Sequence, residues 1–199
     1  CTITPVRQEP SEGSEQLTQL LFGEVCEVLD HLPRWTKIRS TVDGQEGWVD
    51  FKMLSDWKRD DVKLNGRRDL ETEGVVSVPI AIATNMETGE ELMLTLGTRL
   101  PNYAHGTFEV LSKQYLIDPT MVKSDRSAVK GEMICTVAQS LINTPYLWGG
   151  KNAMGIDCSG FTQVVYAAMG INLLRNAREQ ITQGEVVHSL AEALPGDLA

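Results

Sequence analysis

The sequence predicts an α+β chain: two small β barrels followed by a mixed domain that contains helices. Three observations predict it. Up to about residue 118, short β-rich runs alternate with Gly, Pro and Asp turns. Near residue 125 the apolar period changes from about two residues to about 3.6. A Gly-rich turn then leads into a second, well-marked amphipathic helix.

The elements follow in order. Leu20–Phe22 is an apolar run stopped by Gly23, and Val25–Leu29 and Trp35–Arg39 are β-rich segments separated at Pro33. Asp43-Gly44 is a strong hairpin signal because glycine tolerates positive φ, and Gly47-Trp48-Val49 begins the returning strand. Close strands with little helix fit a small barrel over residues 1–56. The theme repeats more loosely over residues 57–120. Val75–Thr84 is strand-like, Thr88-Gly89 marks a turn, Leu92–Leu96 alternates, and Thr107–Leu111 follows Gly106.

Residues 121–199 form the third unit. Val129, Met133, Val137 and Leu141, with Ile134, Ala138 and Ile142, make a helical stripe that Ser127 or Asp125 is placed to cap. Phe161, Val164, Val165 and Ala168 make the second stripe, with Gly170 as its C′ residue. Asn176-Ala177-Arg178-Glu179 reads as the start of a third helix, an N-cap with Glu at N3.

Composition bounds the function. In 199 residues, 42% are hydrophobic and 23% charged, enough apolar material for real cores. No run approaches the ~18 apolar residues of a membrane span. A net charge of −9 argues against nucleic-acid binding, which needs a basic face to displace counterions. Cys1, Cys26, Cys135 and Cys158 are scattered, with no spacing that implies zinc. They read as free thiols, so no metal and no cofactor is implied. Cys1 reads as the start of a processed or trimmed chain, with an acylated lipoprotein cysteine as the alternative.

The chemistry lies in TPYLWGGKNAMGIDCSGF, residues 144–161. The turn delivers Cys158 to the first residues of a helix, where unpaired N–H groups and the positive dipole end stabilise a thiolate. The same N–H groups are placed to hold an oxyanion. Gly160, without a Cβ, is expected to leave room for substrate beside the sulfur. Asp157 opposes the thiolate by charge, so a base partner is wanted. The alternative is that Cys158 is a small buried hydrophobe, the commoner fate of a lone cysteine.

Tyr146-Leu147-Trp148-Gly149-Gly150, Asp157-Cys158-Ser159-Gly160-Phe161 and Pro195-Gly196-Asp197-Leu198 together resemble the NlpC/p60 family of papain-like cysteine peptidases. The match begins near residue 125 and takes in the N-terminal part of that domain. More loosely, Gly47-Trp48-Val49 and Ser14-Glu15-Gln16 resemble the bacterial SH3-like (SH3b) barrels that precede the catalytic domain in cell-wall-recycling members. The resemblance implies hydrolysis of the γ-D-glutamyl bond to diaminopimelate or lysine in peptidoglycan-derived peptides, L-Ala-γ-D-Glu-diamino acid. It makes Cys158 the nucleophile and Tyr146 the tyrosine beside it that helps to bind the carbonyl oxygen. Asp157 and Ser159 would hold the free amine of an N-terminal L-Ala, with Trp148 and Asn176 also facing substrate, and the first barrel would wall off the site. The bland alternatives are core packing for Tyr146 and Trp148 and helix capping for Asp157 and Ser159.

Two departures qualify the match. Recycling-type members usually carry Arg-Asp-Ala where this chain has Arg175-Asn176-Ala177, and Asn cannot offer a full negative charge to an ammonium. The family's general base is a His that follows the Gly-Asp-Leu segment, whereas His31, His105 and His188 lie in no such motif. General-base help is typically worth ~10²–10⁴-fold. The expectation is that the protein continues past Ala199; the alternative is a catalytically silent module that binds wall peptides. Acyl or glutamyl transfer by the same nucleophile is a third possibility. Free thiols favour the cytoplasm and a wall substrate the cell envelope, so both compartments stay open.

Overall fold

The computed structural model describes residues 1–56, 74–124 and 129–198. Their mixed, sheet-rich architecture is the α+β class expected. The first unit is a five-stranded antiparallel sheet, β1 (Ile3–Arg7), β2 (Gln16–Leu21), β3 (Cys26–His31), β4 (Trp35–Ser40) and β5 (Glu46–Asp50), in the order β2-β1-β5-β4-β3. Val6, Leu20, Ile38 and Val49 fill its interior, one apolar side chain from each of four strands. The Asp43-Gly44 turn forms as expected, with Gly44 at φ 74°. Gly47 has a different reason to be glycine: a Cβ there would lie 2.5 Å from a methyl of Val6.

The second unit holds β6 (Gly74–Val76), β7 (Ile80–Asn85), β8 (Glu91–Thr95), β9 (Arg99–Leu100), β10 (Thr107–Val110), β11 (Lys113–Ile117) and β12 (Val122–Lys123). They form two sheets, β10-β11-β7-β8 and β12-β6-β9. The single strand expected over Val75–Thr84 is two, β6 and β7, on different sheets, because the chain turns between them at Pro79. Strand β12 pairs with β6, so this unit's strands run past residue 120. Val76, Ala81, Ala83, Leu94, Leu100, Phe108 and Ile117 form the core, where Phe108 stacks on Tyr115 with centroids 5.1 Å apart.

The third unit comprises α1 (Gly131–Gln139), the hairpin β13 (Lys151–Asn152) and β14 (Gly155–Ile156), α2 (Cys158–Ala168) and α3 (Ala177–Gln180). Helix α1 is shorter than its apolar stripe. Its N-cap is Lys130, with no side-chain cap bond, and the proposed caps Asp125 and Ser127 lie outside the described residues. Leu141 and Ile142 fall in turns beyond its end, where Asn143 takes φ 70°. Helix α2 ends as expected, with Gly170 at φ 80°. Its Val164, Val165 and Ala168 pack with Ile156, Leu141, Met169 and Leu96. Leu96 comes from the second unit, so that unit and α2 share one core. Beyond α3 the chain runs through turns to residue 198, and the Tyr166 hydroxyl donates to the Gly196 carbonyl.

Phe108 is 2% exposed and central to its cluster. Phe108→Ala is expected to destabilise the second unit by about 3–5 kcal/mol, read from denaturant unfolding curves.

Candidate active site

Cys158 opens α2 at an exposed position. Asp157 is the N-cap: its Oδ1 accepts from the Gly160 N–H at 2.7 Å, and the Phe161 N–H closes the first turn on its carbonyl at 2.9 Å. Among the described residues the N–H groups of Cys158 and Ser159 have no protein acceptor, so both are available where an oxyanion would form beside Sγ.

Three glycines let the chain close this tightly. Gly149 takes φ 72°, and a Cβ there would meet the Gln16 carbonyl oxygen at 2.3 Å. A Cβ on Gly160 would stand 2.2 Å from the Gly150 carbonyl oxygen, and one on Gly150 would stand 2.4 Å from that of Gly155. This corrects the role expected for Gly160. Its missing Cβ accommodates the backbone of the Gly149-Gly150 turn, not substrate.

Asp157 is buried, and its carboxylate is fully engaged. Oδ2 accepts from the Gly149 N–H at 2.9 Å and from Nη2 of Arg175 at 2.6 Å, while Oδ1 accepts from Nη1 at 3.1 Å. Ser159 is buried too, and its hydroxyl accepts from Arg175 Nη1 at 2.8 Å. Both polar groups that flank Cys158 therefore face a guanidinium. Nε of Arg175 donates to Thr18 Oγ1 at 2.8 Å, across to the first barrel. Tyr146 and Trp148 are 67% and 61% exposed, which corrects the alternative that they are core aromatics. Trp148 reaches the first barrel: its indole N–H donates to Glu15 at 2.7 Å, and its carbonyl accepts from the Gln16 side chain at 3.0 Å. Asn176 caps α3, with Glu179 accepting from both its backbone N–H and its side-chain amide.

The contact with the first barrel is polar and buried. Gln19 Oε1 accepts from the Lys151 N–H at 2.8 Å and from the Asn152 side chain at 2.7 Å. Lys151 Nζ pairs with Glu24 at 3.0 Å, both side chains almost wholly buried. Sequence reasoning missed Thr18, Gln19, Glu24, Lys151 and Arg175. The last stood only as the neighbour of Asn176, and no local pattern marks a charge such as that of Lys151, whose partner Glu24 lies 127 residues away. Of the three histidines, all exposed, only His31 has a ring hydrogen bond among the described residues, to Thr36 at 3.3 Å. The four cysteines are unpaired. Burial pushes the Cys26 thiol up, and the Glu24 carboxylate adds to that.

Residues 143–199 match the NlpC/P60 family and residues 4–55 match the bacterial SH3 domain. The chain carries an NlpC/P60 domain preceded by a bacterial SH3 domain. Among curated relatives, a gamma-D-glutamyl-L-lysine dipeptidyl-peptidase of Bacillus subtilis is 28% identical over 193 residues, covering 91% of this chain and 62% of the relative. One of the same name from Bacillus cereus is 29% identical, covering 85% and 55%. The chain thus spans about three fifths of the length of these relatives. The probable endopeptidase p60 of Listeria seeligeri is 43% identical over 65 residues, 33% of this chain and 12% of the relative. A crystal structure of an NlpC/P60 family protein from Bacillus cereus superposes with a TM-score of 0.75 at 24% identity, over 91% of this chain and 64% of that one, so the two share a fold.

Two outcomes follow for this site. Lys151→Met strands Glu24 in the interface and is expected to cost about 3–5 kcal/mol in thermal or denaturant unfolding; adding Glu24→Gln recovers most of it. Iodoacetamide at neutral pH is expected to modify Cys158 ahead of Cys1, Cys135 and Cys26, as read by peptide mass mapping; equal modification of all four removes the role given to the helix N-terminus.

Proposed function

We propose that this chain is the SH3-bearing part of a cysteine peptidase that cleaves the γ-D-glutamyl bond to diaminopimelate or lysine in peptidoglycan stem peptides, in muropeptide recycling. One observation carries it: Cys158 stands exposed at the first position of α2, beside two backbone N–H groups that have no protein acceptor among the described residues.

The thiolate attacks the γ-carbonyl carbon, and the carbonyl oxygen takes the charge against the Cys158 and Ser159 N–H groups, with Tyr146 as a further donor. The diamino acid leaves as its amine after taking a proton, and water then hydrolyses the thioester. Trp148, whose indole N–H donates to Glu15 of the first barrel, would face substrate from that side. Asn176 stands at the start of α3, where its neutral amide gives weaker recognition of a free N-terminal amine than a carboxylate. Asp157 and Ser159 frame the nucleophile, and any contact they make with substrate is made with Arg175 already bound to them.

The supporting relatives are gamma-D-glutamyl-L-lysine dipeptidyl-peptidases. None of His31, His105 and His188 is hydrogen-bonded to Cys158, and the proposal gives none of them the role of base. The second reading is a wall-peptide-binding module without turnover.

The full-length gene product separates the two. With L-Ala-γ-D-Glu-diaminopimelate and its lysine counterpart, the free diamino acid is expected to appear, and Cys158→Ala to reduce release to background. Binding of the peptides without release supports the module, and release unaffected by Cys158→Ala sinks the cysteine mechanism.

A further inference from the structure

We infer that Arg175 is a positioning residue for Cys158, oriented by Thr18 of the first barrel, so that the barrel helps to set the reactivity of the nucleophile. The inference rests on the role of Cys158 proposed above.

Arg175 is 2% exposed, and its guanidinium spends its donors on three side chains: Thr18 Oγ1, both oxygens of Asp157, and the Ser159 hydroxyl. Asp157 and Ser159 are the residues on either side of Cys158. One rigid planar group therefore grips the chain before and after the nucleophile. The grip has an electrostatic consequence. Asp157 alone places a buried negative charge one residue from Sγ, where it opposes the thiolate that must form there. The bidentate guanidinium cancels that charge, leaving the helix N-terminus as the field that Cys158 experiences.

The other charged groups on the elements packed here are engaged elsewhere or face solvent. Lys151 pairs with Glu24, Glu15 accepts from the Trp148 indole, Glu179 accepts from Asn176, Asp43 accepts from the Gln163 side chain, and Arg178 is exposed. Arg175 is thus the cation in contact with Asp157. Thr18, itself 1% exposed on β2, fixes the direction from which that cation arrives. Its hydroxyl is the first barrel's contact with the guanidinium that flanks Cys158.

The test reads the thiol directly. The rate of iodoacetamide alkylation at Cys158 is followed from pH 5 to 10 in the folded full-length protein. Arg175→Met is expected to slow alkylation at neutral pH about ten-fold and move the profile about one unit to higher pH. Arg175→Lys, which keeps the charge and loses the fork, falls between. Asp157→Asn added to Arg175→Met is expected to restore the rate, because it removes the charge left uncompensated. Thr18→Val is expected to slow alkylation by a smaller factor, and Thr18→Ser, which keeps the acceptor oxygen, to recover it.

A wild-type profile in Arg175→Met overturns the inference, as does failure of the double variant to recover, which marks Arg175 as packing alone. Should Arg175→Met not fold, Thr18→Val decides, and an unchanged profile there overturns the inference. Peptide hydrolysis is assayed in parallel. Its absence alongside the expected alkylation shifts sinks the peptidase proposal and leaves Arg175 in place. Hydrolysis with unshifted profiles does the reverse.

Discussion

The ion pair between Arg175 and Asp157 is the constraint on which the rest of this site depends. A carboxylate at that depth is costly unless every lone pair is met, and here two backbone N–H groups and a guanidinium meet them. Because those N–H groups belong to Gly149 and Gly160, the same carboxylate ties the glycine turn to the start of α2. The exposure of Cys158 follows: its neighbours are pinned inward, and the sulfur is left at the surface of a rigid corner.

The periodic parts of this fold were legible because periodicity reports burial. Strands β3, β4 and β5 of the first barrel, the C′ glycine of α2 and the Asn176–Glu179 cap all stood in the residues, since each is a local signal with a local cause; β1 was not marked. The hairpin β13–β14 was not legible: two-residue strands at Lys151–Asn152 and Gly155–Ile156 are too short for any alternation to develop. Helix α1 was overread, because Leu141 and Ile142 fit the stripe yet fall in turns after the helix has ended, Leu141 buried and Ile142 exposed.

The exposed cysteine that opens α2 was legible, and what holds its neighbours was not. Cys158 is marked by the turn before it and the helix after it. Arg175, Thr18, Gln19 and Lys151 matter through partners in another unit, and such pairing leaves no trace in a single sequence. Gly160 shows the converse error. Its presence was read correctly as a need for space, but the space is taken by the Gly150 carbonyl.

The Gln19 side chain carries a consequence for how such proteins are assembled over evolution. One amide oxygen of the first barrel satisfies both a backbone N–H and a side chain of the hairpin that precedes Cys158. The first barrel is not freely exchangeable, because a replacement barrel must present a Gln, a Thr and a Glu at the positions of Gln19, Thr18 and Glu24. Recombination that swaps the barrel without them would leave a buried ammonium, an orphaned N–H and an unanchored guanidinium together. Lineages carrying this interface are therefore expected to inherit the barrel and the NlpC/P60 domain as a single unit.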